Sequence, residues 1–337
     1  MTDIITFGEL LLRLSPAGAR RIIQADSFDA CFGGCEANVA VSASCMGLKT
    51  SFVSKIPSGL LGDAAIAAIR KYGVDCDGVV RGGNRLGIYY LEKGADARPS
   101  RVVYDRAGSS IAESDSSEFD WDTLLSDTKA IHLSGITPAL SESCRKEVSD
   151  AVAAAKRRGV TVSFDLNFRG KLWSAEKAGN CISGLIPGID ILIANEEHCK
   201  MLFGVAADDI KDEHERIIAV AKQMSERFGI AKVVITMRKS ISSFDNCFSA
   251  MLYDRNFGES FFSVEYPIHI VDRVGGGDAF AAGLLYCVLT GKDPKYTIEY
   301  AAAAGVLKHS IEGDFSTAAA GEIDELVRNG RSGRLAR

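Results

Sequence analysis

Three consecutive glycines, Gly275-Gly276-Gly277, run straight into Asp278 and a stretch of small and apolar residues, Ala279-Phe280-Ala281-Ala282-Gly283. Glycines at a helix start let several backbone N–H groups, and the positive end of the helix dipole, converge on one anion. A carboxylate beside such a cradle can accept the proton of an attacking hydroxyl while the amides hold a phosphoryl group. The competing reading is structural, with Asp278 capping an ordinary helix behind a flexible loop. It leaves the glycines unexplained, because each gives up much chain entropy on folding. Other phosphate patterns are missing. Gly291-Lys292 is followed by Asp293 and lacks the first glycine of a Gly-x-x-x-x-Gly-Lys-Ser/Thr loop. No Gly-x-Gly-x-x-Gly follows the first apolar run, and Asp314-Phe315-Ser316 stands without the remaining protein-kinase motifs.

The elements around this turn alternate in type. Ile4–Phe7, Phe52–Ile56, Ala130–Leu133, Val160–Phe164, Ile189–Ile193 and Lys232–Thr236 read as short apolar strands. Helical patterns fall between them at Glu36–Met46, Ala64–Tyr72, Glu142–Arg158, Ala175–Ile186, Glu196–Phe203 and Glu213–Phe228. Repeated units of this kind predict an α/β fold with a mostly parallel sheet and helices on both faces. Two stretches break the alternation, residues 13–32 and about 87–108. They hold short β-prone runs such as Ile88–Leu91 and Arg101–Tyr104, separated by polar turns, and predict one small sheet beside the main body. The last third adds strands at Cys247–Tyr253 and Ser260–Glu265, then helices at Asp278–Leu289, Pro294–Ser310 and Gly321–Arg328. With no low-complexity linker and no internal repeat, one domain over residues 1–337 is the expected organisation.

Composition narrows the function. The chain has 39 Lys+Arg against 44 Asp+Glu, a net charge of -5, which argues against a nucleic-acid partner. No run reaches the roughly 18 apolar residues that span a bilayer, and no secretion signal opens the chain, so a cytoplasmic protein with no membrane partner is expected. Nine cysteines in 337 residues do not make a disulfide framework, and Cys31 and Cys35 lack the second pair that a zinc site requires.

Asp272–Phe280 resembles the signature of the ribokinase-like (PfkB) carbohydrate kinases, Asp-Thr-x-Gly-Ala-Gly-Asp-x-Phe. Gly33-Gly34-Cys35-Glu36-Ala37-Asn38-Val39-Ala40 is similar to the family's amino-terminal Gly-Gly-x-x-x-Asn-x-Ala, Gly59–Asp63 to the element that follows it, and Asp165-Leu166-Asn167-Phe168-Arg169 to its Asp-x-Asn-x-Arg. The resemblance covers nearly the whole chain and implies a three-layer α/β/α domain with a small β-sheet lid. It implies ATP-dependent phosphorylation of a sugar hydroxyl with Mg²⁺; a lid sheet with exposed edges predicts in turn a homodimer formed through the lid sheets. Gly-Gly-x-Glu-Ala-Asn, Tyr104–Ala107 and Asn167–Trp173 are most similar to the 2-keto-3-deoxygluconate kinases, with fructokinase or another sugar kinase as the alternative. A silent binding protein on the same fold is the reading from another class.

Carried over residue by residue, the resemblance makes Asp278 the base and the amides of Gly275, Gly276 and Gly277 the phosphoryl cradle. It puts Gly33, Gly34, Glu36, Asn38, Tyr89, Tyr104, Arg106, Arg169 and Asp314 on the substrate. Arg106 and Arg169 are the forks for a sugar acid's carboxylate. Nucleotide contacts would come from Asn167, Asn195, Thr236, Arg238, Gly275 and Gly277. The chain also departs from the family. In Asn195-Glu196-Glu197-His198 a histidine stands where the family has glutamate, so Glu197 is the expected metal contact, with Glu196 or ATP itself as alternatives. The nucleotide loop expected near Thr236–Ser240 has no glycine, and Arg273 replaces the signature threonine.

Overall fold

The computed structural model describes residues 1–330; residues 331–337 of the expected single domain lie outside the described residues. The strands in chain order are β1 Thr2–Phe7, β2 Leu11–Ser15, β3 Asp29–Gly33, β4 Thr50–Ile56, β5 Val79–Arg81, β6 Gly87–Glu92 and β7 Arg101–Asp105. They continue with β8 Thr128–Ser134, β9 Thr161–Asp165, β10 Ile191–Ala194, β11 Lys232–Ser240, β12 Asp245–Asp254, β13 Glu259–Phe262 and β14 Tyr266–His269. The large sheet runs in the order β13-β12-β11-β10-β9-β8-β1-β4-β5, with β14 also pairing β12. From β11 to β5 every pairing is parallel, and the β12 pairings are antiparallel.

The strands are apolar nearly throughout because both faces of the sheet are covered. Ile5, Phe7, Leu192, Val233 and Ile235 belong to one core, packed with the helices Glu142–Arg158, Ala175–Leu185 and Glu213–Phe228. Ile4, Ile191, Ile193 and Val234 point the other way, into a core formed with the helices Gly276–Leu289 and Pro294–Lys308. Alternate residues of one strand thus feed two cores, which gives three layers. Local signals set the helix ends. Ser141 and Asp212 accept hydrogen bonds from Cys144 and Glu215 N–H groups at two starts, and Gly159 and Gly229 end the same helices in the left-handed region. No helix among the described residues is long and apolar enough to cross a membrane.

The two stretches outside the alternation form one separate sheet of four strands, β3-β2-β6-β7. Two expectations need correction. The run read as a single strand over Ser260–Glu265 ends at Phe262, and a further strand, β14, pairs the other half of β12. The segment expected to carry the nucleotide loop, Thr236–Ser240, is strand, zipped to Asn246–Ala250 of β12. Without glycine, Met237-Arg238-Lys239 has no reason to leave extended geometry, and the turn moves to Ile241–Phe244.

The small sheet is anchored to the body by charge. Arg13, in the middle of β2 and only 2% exposed, donates to Asp314 at 2.9 Å and to Asp272 at 2.7 Å. Replacing Arg13 with Leu leaves both carboxylates buried without their cation. Urea unfolding should then show a loss of about 3–5 kcal/mol, the cost of breaking a buried pair from one side. A loss below about 1 kcal/mol would mean that apolar packing alone holds the sheet.

Candidate active site

A cavity of about 510 Å³ opens where the parallel strands end at their carboxyl edges, between the large sheet and the small one. β1 delivers Glu9 just past its end, β9 ends in Asp165, and Asn195 and Thr236 sit at the ends of β10 and along β11. The small sheet closes the opposite wall with Leu11, Tyr89, Val102 and Tyr104.

Asp278 stands in the first turn of the Gly276–Leu289 helix but does not cap it: the cap position is Gly275, and no side chain bonds there. Its carboxylate instead accepts the Asn38 amide at 2.7 Å on one oxygen and the Cys35 thiol at 3.0 Å on the other. Asn38 in turn accepts the Gly34 N–H at 3.2 Å, so the Gly33-Gly34 turn, the asparagine and the acid form one bracket. Burial raises the Asp278 pKa, while the Cys35 and Asn38 hydrogen bonds, Arg169 and Lys308 oppose the rise. Asp278 is therefore fixed in orientation, open to the cavity, and flanked by amides that no side chain satisfies.

The three glycines are needed for different reasons. Gly275 has φ +83°, and a Cβ on it would lie 2.1 Å from the Asp314 carbonyl oxygen. A Cβ on Gly276 would lie 2.3 Å from the His309 ring, whereas one on Gly277 meets no protein atom within 4 Å and would project into open space. Only the last is explained by what the cavity must hold.

The two arginines expected on the substrate differ. Arg106 is already engaged, donating to Glu9 at 2.7 Å through Nε and again through Nη2, and it lies over the Tyr104 ring. Arg169 is exposed, forms no ion pair among the described residues, and touches only the Phe168 carbonyl at 3.3 Å. It is a cation with no carboxylate bonded to it, although it acts on Asp165 and Asp278 from a distance. Arg238 is another: it leans on His309 Nε2 at 3.2 Å and over the Phe248 ring, and desolvation with Arg273 nearby lowers its pKa to about 10. His309 can accept that hydrogen bond because burial and Arg238 hold its pKa down to about 4, and its Nδ1 faces the Gly305 carbonyl.

Of the residues expected from the sequence, all but Gly33 and Glu197 line this cavity. Gly33 works from behind: a Cβ there would strike the Asp314 carboxylate at 1.9 Å, and Asp314 must come close to receive the Tyr89 hydroxyl at 2.5 Å and Arg13. Glu36 lines the cavity with one oxygen held by Ser134 and Thr137, and burial raises its pKa to about 7. Asn195 spends its side-chain oxygen on the His198 N–H at 2.7 Å, and the Thr236 hydroxyl bonds Ala194. Glu197 is exposed outside the cavity, and Glu196 is bound to Arg216. His198 is the member of that run that lines the cavity, edge-on to Phe168. The described residues contain no group of three acidic, histidine or cysteine side chains that could hold a metal. Glu9, Cys35, Asp165 and Arg273 were not expected there; Glu9 and Asp165 carry a usable signal, since acids at the carboxyl ends of parallel strands face the crevice.

A model of the pfkB family carbohydrate kinases matches residues 1–316. The chain belongs to that family. A 2-dehydro-3-deoxygalactonokinase of Haloferax volcanii is 31% identical over 98% of this chain and 98% of its own. A 5-dehydro-2-deoxygluconokinase of Clostridium perfringens is 28% identical over 97% of this chain and 93% of its own. Among solved structures, a 2-dehydro-3-deoxygluconokinase of Thermotoga maritima is 45% identical, superposes with a TM-score of 0.94, and shares 97% of this chain and 99% of its own.

The glycine analysis gives a paired test. Gly276→Ala should cost about 1–3 kcal/mol of stability by overpacking against His309. Gly277→Ala should leave the melting temperature near that of the unaltered chain and abolish most of the kinase activity. If the two variants melt alike and work alike, the turn is only a connector.

Proposed function

We propose that this carbohydrate kinase phosphorylates a hydroxyl of a keto-deoxy sugar acid with ATP, 2-keto-3-deoxygluconate being the leading substrate. The observation that carries the reading is Asp278, clamped on both oxygens beside three uncapped amides. Substrate and ATP meet at that point. The hydroxyl gives its proton to Asp278 as its oxygen forms a bond to the γ-phosphorus. The bond from that phosphorus to the bridging oxygen breaks, and ADP leaves. The amides of Gly275–Gly277 face the charge on the transferring group. Arg169, with no internal partner, suits the substrate carboxylate, and Arg238 and Arg273 suit the nucleotide phosphates. Tyr89, Tyr104 and Asp314 line the wall nearest the sugar. A second cavity of about 730 Å³ adjoins the first at Arg273 and Val274 and gives room for the nucleoside.

The residues present do not fit a resident divalent cation, since Glu197 lies outside the cavity and Asn195 caps its helix. Magnesium enters this proposal only as the ion that accompanies ATP. The small sheet, which walls the cavity, would act as a lid that keeps water from the phosphoryl group. Val103 on that sheet and Phe28 just before β3 are exposed and support pairing of two copies through it.

A coupled assay of ADP release, run with sugar acids, fructose and ribose, tests the substrate class. Highest kcat/KM on a 2-keto-3-deoxy sugar acid is expected, and preference for fructose would make this a fructokinase instead. Asp278→Asn should keep the fold and lower kcat by about a hundredfold or more. Arg169→Ala should raise KM for the acid by roughly ten- to a hundredfold, the worth of a charge-assisted contact, and spare neutral sugars. Arg106→Ala should also lower the melting temperature, because it leaves Glu9 buried and unpaired. Equal effects of the Arg169 change on acids and neutral sugars would remove the carboxylate assignment.

A further inference from the structure

Beneath the glycine turn lies a charged group that the reaction drawn above does not use. Lys308, the last residue of the Pro294–Lys308 helix, has no exposure to water. Its ammonium donates to the Ile311 carbonyl at 2.8 Å, and its Cε is 3.1 Å from where a Cβ on Gly275 would stand. The lysine stem therefore passes directly behind the turn. A wholly buried ammonium is rare unless opposite charge faces it. Here burial lowers the Lys308 pKa on balance and Arg13 adds to the fall, while Asp272 and Asp314, and more weakly Asp278, oppose it.

The charge count under the turn is informative. Asp272 and Asp314 bring two carboxylates, both nearly without exposure; burial raises the Asp314 pKa, and Arg13 and the Tyr89 hydroxyl oppose the rise. Arg13 bonds both carboxylates but cancels only one. Without a second cation, a net negative charge would sit immediately behind amides that are to receive a phosphoryl group. Asp272 is also tied to the turn, accepting the Val274 N–H at 3.1 Å and the Gly313 N–H at 3.1 Å. We propose that Lys308 is a positioning residue for phosphoryl transfer. Its buried ammonium balances the Asp272–Asp314 pair behind Gly275, so that the turn presents a positive face to the transferring group. It touches neither substrate nor nucleotide. The inference rests on the reading of Gly275–Gly277 as a phosphoryl cradle.

The test uses the full chain with Lys308→Ala, which leaves a hole, and Lys308→Met, which fills it without charge. Both should lower kcat by about tenfold or more, while KM for the sugar acid stays within about twofold. Ammonium chloride should restore much of the rate to Lys308→Ala and little to Lys308→Met. Tetramethylammonium chloride at equal ionic strength should restore neither. A purely structural lysine predicts a lower melting temperature without that selective rescue. A kcat within about twofold of the unaltered chain, or a loss that ammonium does not reverse in Lys308→Ala, overturns the proposal. So does a Lys308→Ala protein that fails to fold with or without ammonium while Lys308→Met folds with full kcat. If the unaltered chain turns over none of the sugars, the proposed function fails on its own. ATP affinity by calorimetry then tests the cradle: weaker binding in both variants, restored by ammonium only in Lys308→Ala, supports the inference, and unchanged affinity overturns it.

Discussion

The ion cluster of Arg13, Asp272 and Asp314 joins three distant parts of the chain at one buried point. Arg13 comes from the small sheet, Asp272 opens the glycine turn, and Asp314 follows the Pro294–Lys308 helix. Burying a guanidinium and two carboxylates costs solvation that a single good pair scarcely recovers. What the cluster gains is geometry. Asp272 holds the amides of Val274 and Gly313, and Asp314 holds Tyr89, so the wall of the cavity and the floor of the turn are set by the same atoms. Removing any one member would leave the others charged and dry, which is why the small sheet and the turn behave as one unit.

The cavity is also divided electrically. Arg169, Arg238 and Arg273 stand along it with no carboxylate bonded to them, whereas Arg106 is consumed by Glu9. Free cations in a cleft are poorly satisfied until an anion arrives, and the substrates of a carbohydrate kinase that uses a sugar acid bring anions from two directions. Arg106 is better regarded as part of the wall, since its guanidinium lies on Tyr104 and its charge is spent inside the protein.

Much of this was legible in the residues. Strand–helix alternation gave the three layers because parallel strands buried on both faces must be apolar throughout, a pattern visible in Ile189–Ile193 and Lys232–Thr236. The glycine turn and Asn38 were readable from spacing. What was not legible depends on contacts between distant segments. Nothing near Gly33 says that its missing side chain makes room for Asp314, and nothing near Arg106 says that Glu9 will reach it. Nor does the polar run Thr236–Ser240 announce that it is strand, because its partner on β12 is what holds it extended. Glu197 suits a metal contact by type and position, but the rotation of one short helix decides that His198, not Glu197, lines the cavity.

Three carboxylates crowd the same end of the sheet, and their surroundings separate their tasks. Burial drives the pKa of both Glu36 and Asp165 to about 7, with Asp278 nearby adding to the rise in each. Groups coupled this closely cannot all be charged together, so protons are shared among them near neutral pH. Glu36 has hydroxyl donors from Ser134 and Thr137 but no cation set against it. Asp165 has one amide, from Asn167, and Arg169. Asp278 alone combines a donor on each oxygen with two cations, Arg169 in the cavity and Lys308 behind the turn. Burial raises the Asp278 pKa too, and each of these opposes that rise and favours the ionised form of the residue that faces the amides and the open cavity. A proton held by Glu36 or Asp165 spares that charge from repulsion. The base is thus selected less by its own position than by the unequal company kept by the three acids around it.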